Sequence, residues 1–185
     1  RLSNAAVDYI AQTVGVGPGW CCIDFGCGEG TALTQLEYSY GCDILGIERR
    51  PELVQRAIDI YNLLLRSSGG TVKFIVADLL KPQPILNAFQ THTSIVAATK
   101  VLILINNVKF TPEINLAVVE LLHQQWLQRP QCEMTILSFV PLCLGRVQNM
   151  TDGERWLQSC QVVKYRHRDM QKYSDGALQW RLYKV

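Results

Sequence analysis

From residue 20 onward, short apolar runs of strand composition alternate with segments of helical periodicity. One of these runs, residues 44–48, reads Ile-Leu-Gly-Ile-Glu, which is typical of a strand buried on both faces. Strands that alternate with helices form βαβ crossovers, and these build a mostly parallel sheet with helices on both sides. The sequence therefore predicts an α/β fold with a doubly covered sheet.

The same periodicities predict the individual elements. We predict strands at residues 20–25, 44–48, 72–77, 101–105 and 134–139. We predict helices at residues 5–14, 31 to about 38, 51–65 and 112 up to Pro130, with Thr111 as the N-cap of the last, and one helical turn near 85–89. Residues 161–168 and 178–185 alternate like antiparallel strands, so we expect a closing β-hairpin with its turn near 174–176.

Composition excludes several classes of protein. With 185 residues, 48% of them hydrophobic, the sequence predicts a single domain over residues 1–185. The net charge of +2 gives no global basic field, and no apolar run approaches the length of a membrane span. Seven cysteines without a C-x-x-C pair and three scattered histidines predict a reducing compartment and no metal site.

The most specific local motif is I-D-F-G-C-G-E-G at residues 23–30, between a predicted strand and a predicted helix. Glycines let the backbone turn sharply and approach a ligand, and the N-terminus of the next helix offers free N–H groups to an anion. A dinucleotide fingerprint is disfavoured because Gly30 falls one residue too early. Cys27 is interpreted as a packing residue, since no His lies near it in the sequence. The predicted binding residues are Asp24, Gly26, Gly28, Gly30 and Thr31.

Carboxylates also follow the second and third predicted strands. Glu48 comes 24 residues after Asp24, where a carboxylate can accept hydrogen bonds from both ribose hydroxyls. Asp78 can accept a bond from an adenine amino group, with Leu79 as an apolar wall for the ring. Taken alone, Asp24 or Asp78 is equally well explained as a loop cap. Together, the three carboxylates predict a site for a nucleoside that carries an amino-acid tail.

This combination resembles the first motif of the Rossmann-like S-adenosylmethionine-dependent methyltransferases: an acid, a hydrophobic residue, Gly, Cys or Ser, Gly, any residue, and Gly. The resemblance covers residues 20–140. It implies a seven-stranded, mostly parallel sheet with a C-terminal antiparallel hairpin and helices on both faces. It also implies S-adenosylmethionine as the cofactor and S-adenosylhomocysteine as the product.

A narrower resemblance follows the fourth predicted strand. Residues 106–113 read N-N-V-K-F-T-P-E, and this string before a helix is similar to the disruptor-of-telomeric-silencing family of lysine methyltransferases, which lack a SET domain. Three further segments, 46–48, 78–80 and 138–141, and the region 173–180 are similar to other parts of that family. The absence of a Pro-Pro motif argues against methylation of nucleobases. The chain departs from the family at four positions, Val108, Lys109, Tyr173 and Trp180, so we expect a divergent member.

The narrower resemblance implies the substrate and its location: a lysine on the core face of histone H3, in nucleosomes, in the nucleus. The lysine amine would attack the methyl group in line, deprotonated inside an aromatic channel, so no protein base is required. The residues assigned to this transfer site are Asn106, Phe110, Tyr173 and Trp180, and Asn106 is also assigned to the cofactor. For the three aromatic residues, ordinary core packing is the alternative. The family also carries a loop before its first helix, and we expect this chain to lack part of that lid.

Four cations lie within nine positions of the predicted hairpin: Lys164, Arg166, Arg168 and Lys172. Such a cluster can contact the phosphates of nucleosomal DNA without sequence preference, or it can be an ordinary solvated strand face. Two other functions stay open. One is a methyltransferase for another protein or a small molecule, and the other is a silent module that binds the cofactor without turnover.

Overall fold

The computed structural model describes residues 2–64, 69–142, 150–166 and 179–185. Several sequence predictions fall outside these residues, namely Tyr173, Arg168, Lys172 and the hairpin turn near 174–176. Of the other residues named in the sequence analysis, four are described by their backbone only: Val108, Lys164, Arg166 and Trp180.

The described residues form seven strands and seven α-helices. The strands are β1 (Trp20–Phe25), β2 (Asp43–Glu48), β3 (Val72–Val76), β4 (Lys100–Ile105), β5 (Glu133–Ser138), β6 (Gln161–Arg166) and β7 (Gln179–Lys184). The helices are α1 (Asn4–Val14), α2 (Thr31–Tyr40), α3 (Pro51–Leu64), α4 (Gln83–Thr91), α5 (Thr93–Ala97), α6 (Pro112–Gln128) and α7 (Asp152–Ser159), and a 3-10 turn spans Asn107–Lys109. None of these helices is both long and apolar enough to cross a membrane.

The strands form one sheet in the order β3-β2-β1-β4-β5-β7-β6. The five strands β1 to β5 pair in parallel with their neighbours in the sheet. In β1, Asp24 lies opposite Gly46 of β2 on one side and Leu104 of β4 on the other. The last two strands are antiparallel, β7 to β5 and β6 to β7. The predicted fold class is therefore confirmed, including the seven strands and the antiparallel C-terminal hairpin.

Hydrophobic cores lie on both faces of the sheet, because successive side chains of a strand point to opposite faces. In β1, Ile23 and Phe25 belong to the core under α4, α5, α6 and α7, whereas Trp20 and Cys22 belong to the core under α1 and α2. Most residues of β1, β2, β4 and β5 are buried, as the apolar composition of these runs predicts. Because these strands are buried on both faces, their ends are held in place, and a site can form at the edge of the sheet where the strands end.

Helix starts are set by short polar side chains. The Ser3 side chain accepts a hydrogen bond from the Ala6 N–H at the start of α1, and Thr111 does the same for Ile114 at the start of α6. The predicted N-cap at Thr111 is thus confirmed. The predicted helices and strands lie within about two residues of the observed ones, which is the usual uncertainty of element boundaries.

Two regions hold more helix than the sequence predicts. The stretch predicted as one turn near residues 85–89 contains α4 and α5, and Ile85, Ala88 and Phe89 share the buried face of α4. Residues 152–159, for which no helix is predicted from the sequence, form α7, which begins with a capping box between Thr151 and Glu154. These helices were missed because they are short, with nine, five and eight residues, so each shows few repeats of the helical period.

Candidate active site

A cleft of about 340 Å³ opens at the carboxyl ends of β1 and β4. This is where the strand order reverses, because β2 and β3 lie on one side of β1, and β4 and β5 lie on the other. Open parallel sheets bind ligands at such a position. Five of the predicted binding residues line the cleft: Asp24, Gly26, Gly28, Thr31 and Asn106.

The glycine loop joins β1 to α2 along one side of the cleft. Gly26, Gly28 and Gly30 have φ of 87°, 58° and 69°, a left-handed region that favours glycine. The N–H groups of Gly26 and Cys27 both donate to the Ile47 carbonyl, at 2.8 and 3.0 Å. The loop is therefore fixed to the end of β2, and its backbone lies close to the cleft.

Two glycines make room for the Phe74 side chain of β3. A Cβ atom on Gly30 would lie 2.6 Å from Phe74 Cε1 and 2.9 Å from Ala57 Cβ, and a Cβ on Gly46 would overlap the same ring. Gly30 also serves as the N-cap of α2 in a left-handed conformation. Gly30 is therefore needed for close packing behind the loop, in addition to its backbone conformation.

Asp24 is the buried acid of the cleft. Its side chain is 7% exposed, and its Oδ1 atom accepts no hydrogen bond from any described residue. Burial, together with the nearby Glu48 carboxylate, raises the pKa of Asp24 to about 7. A buried acceptor without a partner is costly, so a bound group that donates a hydrogen bond or carries positive charge fits this position.

Glu48 ends β2 with its carboxylate turned to the glycine loop. Its Oε2 accepts from the Gly28 N–H at 3.1 Å, and its Oε1 accepts from the Arg50 N–H at 3.1 Å. The Arg50 guanidinium also contacts Oε1, at 3.4 Å. Oε1 thus accepts two bonds and Oε2 accepts one, so Glu48 is held in place and Oε2 can still accept a hydrogen bond from a hydroxyl group.

Asp78 and Leu79 follow β3 and do not belong to the lining of this cleft. The Ala77 N–H donates to the Glu48 carbonyl at 3.0 Å, so the ends of β2 and β3 are adjacent. Asp78 Oδ1 accepts from the Leu80 N–H at 3.0 Å, which is the loop cap considered above for this residue. Leu79 packs partly against the core.

Asn106 and Phe110 lie on the side of the cleft formed by β4. Asn106 lines the cleft directly after β4, and the 3-10 turn then brings the Phe110 ring against the glycine loop. A Cβ atom on Gly26 would lie 3.2 Å from Phe110 Cζ. Phe110 is half-buried and packs against the core, so core packing accounts for part of its role.

The structure adds residues that the sequence analysis missed. Phe139 lines the cleft directly after β5. Leu53 of α3, Arg50 just before α3 and Leu2 before α1 also line it. Phe139 could have been found, because it is the last residue of the predicted strand 134–139, next to β4. Leu2 and Leu53 lie on other elements, and no sequence signal connects them with the loop.

Cys27 lies inside the glycine loop and is largely buried. A Cβ on Gly46 would lie 2.8 Å from its Sγ, so the thiol packs against β2. Burial raises the pKa of the Cys27 thiol above its ordinary value, and the nearby Asp24 and Glu48 carboxylates act in the same direction. The thiol is therefore protonated at neutral pH, which agrees with packing rather than nucleophilic catalysis.

Across the part of the chain that the structure describes, no three His, Cys, Asp or Glu side chains are arranged to hold a metal ion. Of the residues assigned to the lysine channel, Tyr173 lies outside this part, and Trp180 contributes only its backbone, paired with Tyr165 in the hairpin. Their place in a channel stays a prediction.

Comparison with known protein families decides the family. A family model described as histone methylation protein DOT1 matches residues 2–177, nearly the whole chain. The chain belongs to this family. The resemblance seen in the sequence to the disruptor-of-telomeric-silencing enzymes is thereby confirmed. No protein with a curated description matches the sequence.

Solved structures confirm the fold of this DOT1-family chain. An RNA methyltransferase from Salinibacter ruber, in complex with S-adenosyl-L-homocysteine, has a TM-score of 0.54 and 17% identity, over 100% of this chain and 91% of that one. The methyltransferase domain of bacterial CtHen1 has a TM-score of 0.59 and 14% identity, over 98% and 97%. A TehB-like S-adenosylmethionine-dependent methyltransferase from Corynebacterium glutamicum has a TM-score of 0.54 and 16% identity, over 96% and 85%.

Family and fold together make this chain an S-adenosylmethionine-dependent methyltransferase, so the prediction of the cofactor class is confirmed. The structural neighbours share the fold at 17% identity or less, and of the three names only the first states an acceptor, which is RNA. The acceptor of this chain therefore cannot be taken from the fold.

Proposed function

We propose that this chain transfers a methyl group from S-adenosylmethionine to a lysine on the core face of histone H3 in nucleosomes, and acts in the nucleus. The match to the DOT1 histone methylation family over residues 2–177 carries the proposal. The string N-N-x-x-F-x-P-E at residues 106–113 supports it, and the first residue of this string, Asn106, lines the cleft.

Of the proposed cofactor residues, Asp24 and the glycine loop line the cleft, whereas Glu48, Asp78 and Leu79 lie outside its lining at the adjacent ends of β2 and β3. Asp24, with its unpartnered Oδ1, would accept from the ammonium group of the methionine end, and the backbone of the glycine loop would lie along it. Glu48 would accept from the ribose hydroxyls, while Asp78 and Leu79 would hold the adenine beyond the end of β2. When bound, the cofactor supplies an electrophilic methyl group on a positively charged sulfonium.

The acceptor lysine would be controlled by position and by its surroundings. Phe110, Tyr173 and Trp180 would exclude water around the amine, and an apolar channel disfavours the charged ammonium form. The Asn106 amide oxygen would orient the neutral amine by accepting one of its N–H groups. Holding the amine in line accounts for most of the rate, because no covalent bond to the enzyme is needed.

Nucleosome binding would use the cation cluster of the C-terminal hairpin region. Lys164 and Arg166 lie on the edge strand β6, and Arg168 and Lys172 follow it in the sequence. Phosphate contacts by such side chains are independent of sequence and depend strongly on salt. The cluster would thus hold the enzyme on the nucleosome, while the cleft selects the lysine.

The test is tritiated methyl transfer to intact nucleosomes, free core histones and transfer RNA in parallel, with calorimetric S-adenosylhomocysteine binding as a control. Label on a core histone H3 lysine, lost in Glu48→Ala and retained in Glu52→Ala, is the expected result. Glu52 is a matched control because it is an exposed carboxylate in the first turn of α3, whereas Glu48 is buried and accepts from the glycine loop. Label on RNA alone would overturn the histone proposal in favour of another acceptor.

Asn106→Ala tests the role of Asn106 in turnover, and S-adenosylhomocysteine binding is measured in the same variant because Asn106 also lines the cofactor cleft. We expect it to lower kcat for histone methylation by about 10-fold to 100-fold, the range of a lost orienting contact. If the wild-type protein binds S-adenosylhomocysteine but labels no acceptor, the chain would be a silent module instead. A wild-type kcat in Asn106→Ala would show that Asn106 does not orient the amine.

A further inference from the structure

Asn107 is buried behind the cleft and makes four side-chain hydrogen bonds. Its Nδ2 donates to Asn115 Oδ1 at 2.9 Å and to the Val140 carbonyl at 3.1 Å. Its Oδ1 accepts from the Val140 N–H at 2.9 Å and from the Phe139 N–H at 3.2 Å. Asn107 is 1% exposed; its bonds with Asn115 and Phe139 are buried, and its two bonds with Val140 are partly buried.

Only an amide of this length satisfies this set of partners. The nitrogen faces two acceptors and the oxygen faces two donors, so the orientation of the amide is fixed by the network. A carboxylate could not donate to Asn115 Oδ1 or to the Val140 carbonyl. An apolar side chain would leave the Phe139 and Val140 N–H groups buried without partners, which is costly.

The four bonds join three separate segments of the chain. Asn107 begins the 3-10 turn after β4, Asn115 lies in α6, and Phe139 and Val140 follow β5. Two of the joined segments carry residues of the cleft: Asn106 directly precedes Asn107, and Phe139 donates to it. The Phe110 N–H also donates to the Asn107 carbonyl, at 3.1 Å, and the Phe110 ring rests on Gly26.

We propose that Asn107 is a positioning residue that fixes Asn106 and Phe139 relative to each other, and so sets the width of the cofactor cleft. The proposal rests on the cofactor placement of the proposed function, but not on the identity of the acceptor. Asn107 itself does not line the cleft, and it acts through its two neighbours. Side chains held by a buried and fully paired network are preorganised, and a preorganised site loses less free energy when it binds.

Asn107→Ala tests the proposal, with Leu157→Ala as the control. Leu157 is fully buried in α7 and belongs to the core, so its truncation also lowers stability, but it does not line the cleft. Both variants are assayed by calorimetric binding of S-adenosylhomocysteine at a temperature where both are folded. We expect the Kd to rise about tenfold in Asn107→Ala and less than about twofold in Leu157→Ala.

Hydrogen exchange gives a second measurement that a general loss of stability would not reproduce. In Asn107→Ala, the amides of Phe139 and Val140 are expected to exchange faster than in the wild type, relative to the other amides of the sheet. Leu157→Ala is expected to leave this ratio unchanged. If Asn107→Ala does not fold, Asn115→Ala removes one of the four bonds and is expected to raise the Kd by about threefold.

A Kd within about twofold of wild type in the folded Asn107→Ala protein, or an equal rise in Leu157→Ala, would overturn the proposal. Binding of S-adenosylhomocysteine requires no acceptor, so this result is independent of the histone assay. If nucleosomes receive no label but the Kd rises as expected in Asn107→Ala, only the histone proposal would be overturned. A labelled histone with an unchanged ratio would overturn only the role of Asn107.

Discussion

Asp24 shows at the scale of one residue how the fold changes ordinary chemistry. In water, a carboxyl group of this kind is ionised at neutral pH, with a pKa near 3.8. At the end of β1 it is buried beside Glu48, and its pKa is raised to about 7. Only the ionised form attracts a cationic ligand, so the charge of the cleft varies within the physiological range.

We expect the affinity for S-adenosylhomocysteine to increase as the pH rises from about 6 to about 8, by up to about tenfold, because Asp24 ionises in this range. Asp24→Asn is expected to bind more weakly and to lose this pH dependence. Asp59→Asn, a change at an exposed position of α3, is the control. Calorimetry at several pH values measures both, and a wild-type affinity that stays constant over this range would contradict the expectation.

The same carboxyl group has the opposite effect on the stability of the protein without ligand. Its pKa is higher in the folded chain than the ordinary 3.8, so the folded state binds the proton more tightly. The contribution to stability is complete below about pH 4 and is lost as the pH rises through about 7. We therefore expect Asp24→Asn to exceed the wild type in stability at about pH 8 and to lose that advantage at about pH 4, measured by denaturant unfolding.

A comparison of Gly30 with Gly28 distinguishes the effect of backbone conformation on stability from the effect of side-chain packing. Both have positive φ, but a Cβ on Gly30 would collide with Phe74, whereas nothing lies within 4 Å of a Cβ on Gly28. Gly30→Ala is expected to lower the free energy of unfolding by about 2–4 kcal/mol, the sum of left-handed strain and overpacking. Gly28→Ala is expected to cost about 1 kcal/mol, from strain alone. Equal losses in denaturant unfolding would show that the contact with Phe74 is unimportant.

At the scale of elements, α7 shows that a short helix can depend on its cap. Its first turn is closed by bonds in both directions, from the Glu154 N–H to Thr151 Oγ1 at 3.2 Å and from the Thr151 N–H to Glu154 Oε2 at 3.0 Å. The buried face of the helix then places Trp156 and Leu157 in the core next to α6. The helix thus packs mainly against α6.

Thr151→Ala is expected to lower the free energy of unfolding by about 1 kcal/mol, because it removes the side-chain half of the capping box. Gln158→Ala, at an exposed position of the same helix, is the matched control and is expected to change stability by less than about 0.5 kcal/mol. Thermal and denaturant unfolding measure both variants. If Thr151→Ala and Gln158→Ala were equally stable, the cap would contribute nothing to the protein.

At the scale of the whole molecule, the order of the strands creates the site. The Asp24, Glu48 and Asn106 positions are far apart in sequence, but β2, β1 and β4 are neighbours and parallel, so their carboxyl ends meet at one edge. Two members of the cation cluster, Lys164 and Arg166, lie on β6, the outer strand of the same sheet. Cofactor binding and nucleosome binding are therefore expected to be separable by mutation.

Reversing two cations of the tail, Arg166→Glu with Arg168→Glu, is expected to weaken nucleosome binding and to reduce the slope of log K against log salt by about 1 for each lost phosphate contact. S-adenosylhomocysteine binding is expected to stay unchanged. Lys73→Glu with Lys100→Glu changes the net charge equally in β3 and β4, and it is expected to preserve the slope. Fluorescence anisotropy over a salt series measures the slope, and an unaltered slope in the first pair would assign the cluster to a solvated face.

The sequence was sufficient for the parts of the fold that depend on local patterns. Buried strands such as β2 and β4 carry continuous apolar runs, and α3 and α6 carry clear helical periodicity, so both kinds of element were predicted. The full length of α4 and the helices α5 and α7 were not predicted, because helices of five to nine residues show few repeats of the helical period. The threonine and glutamate of the α7 cap were the one local signal that could have identified it.

The candidate site divides in the same way. The sequence by itself determined the glycine loop and the acids that end β1 and β2, because a sharp turn needs glycine and a parallel sheet places the carboxyl ends of its strands at one edge. Only the tertiary structure decided that Asp24 is buried without a partner, that Asp78 caps its own loop, and that Asn107 joins β4 to β5 and α6. These properties depend on burial and on contacts between distant segments, which a local pattern of residues does not encode.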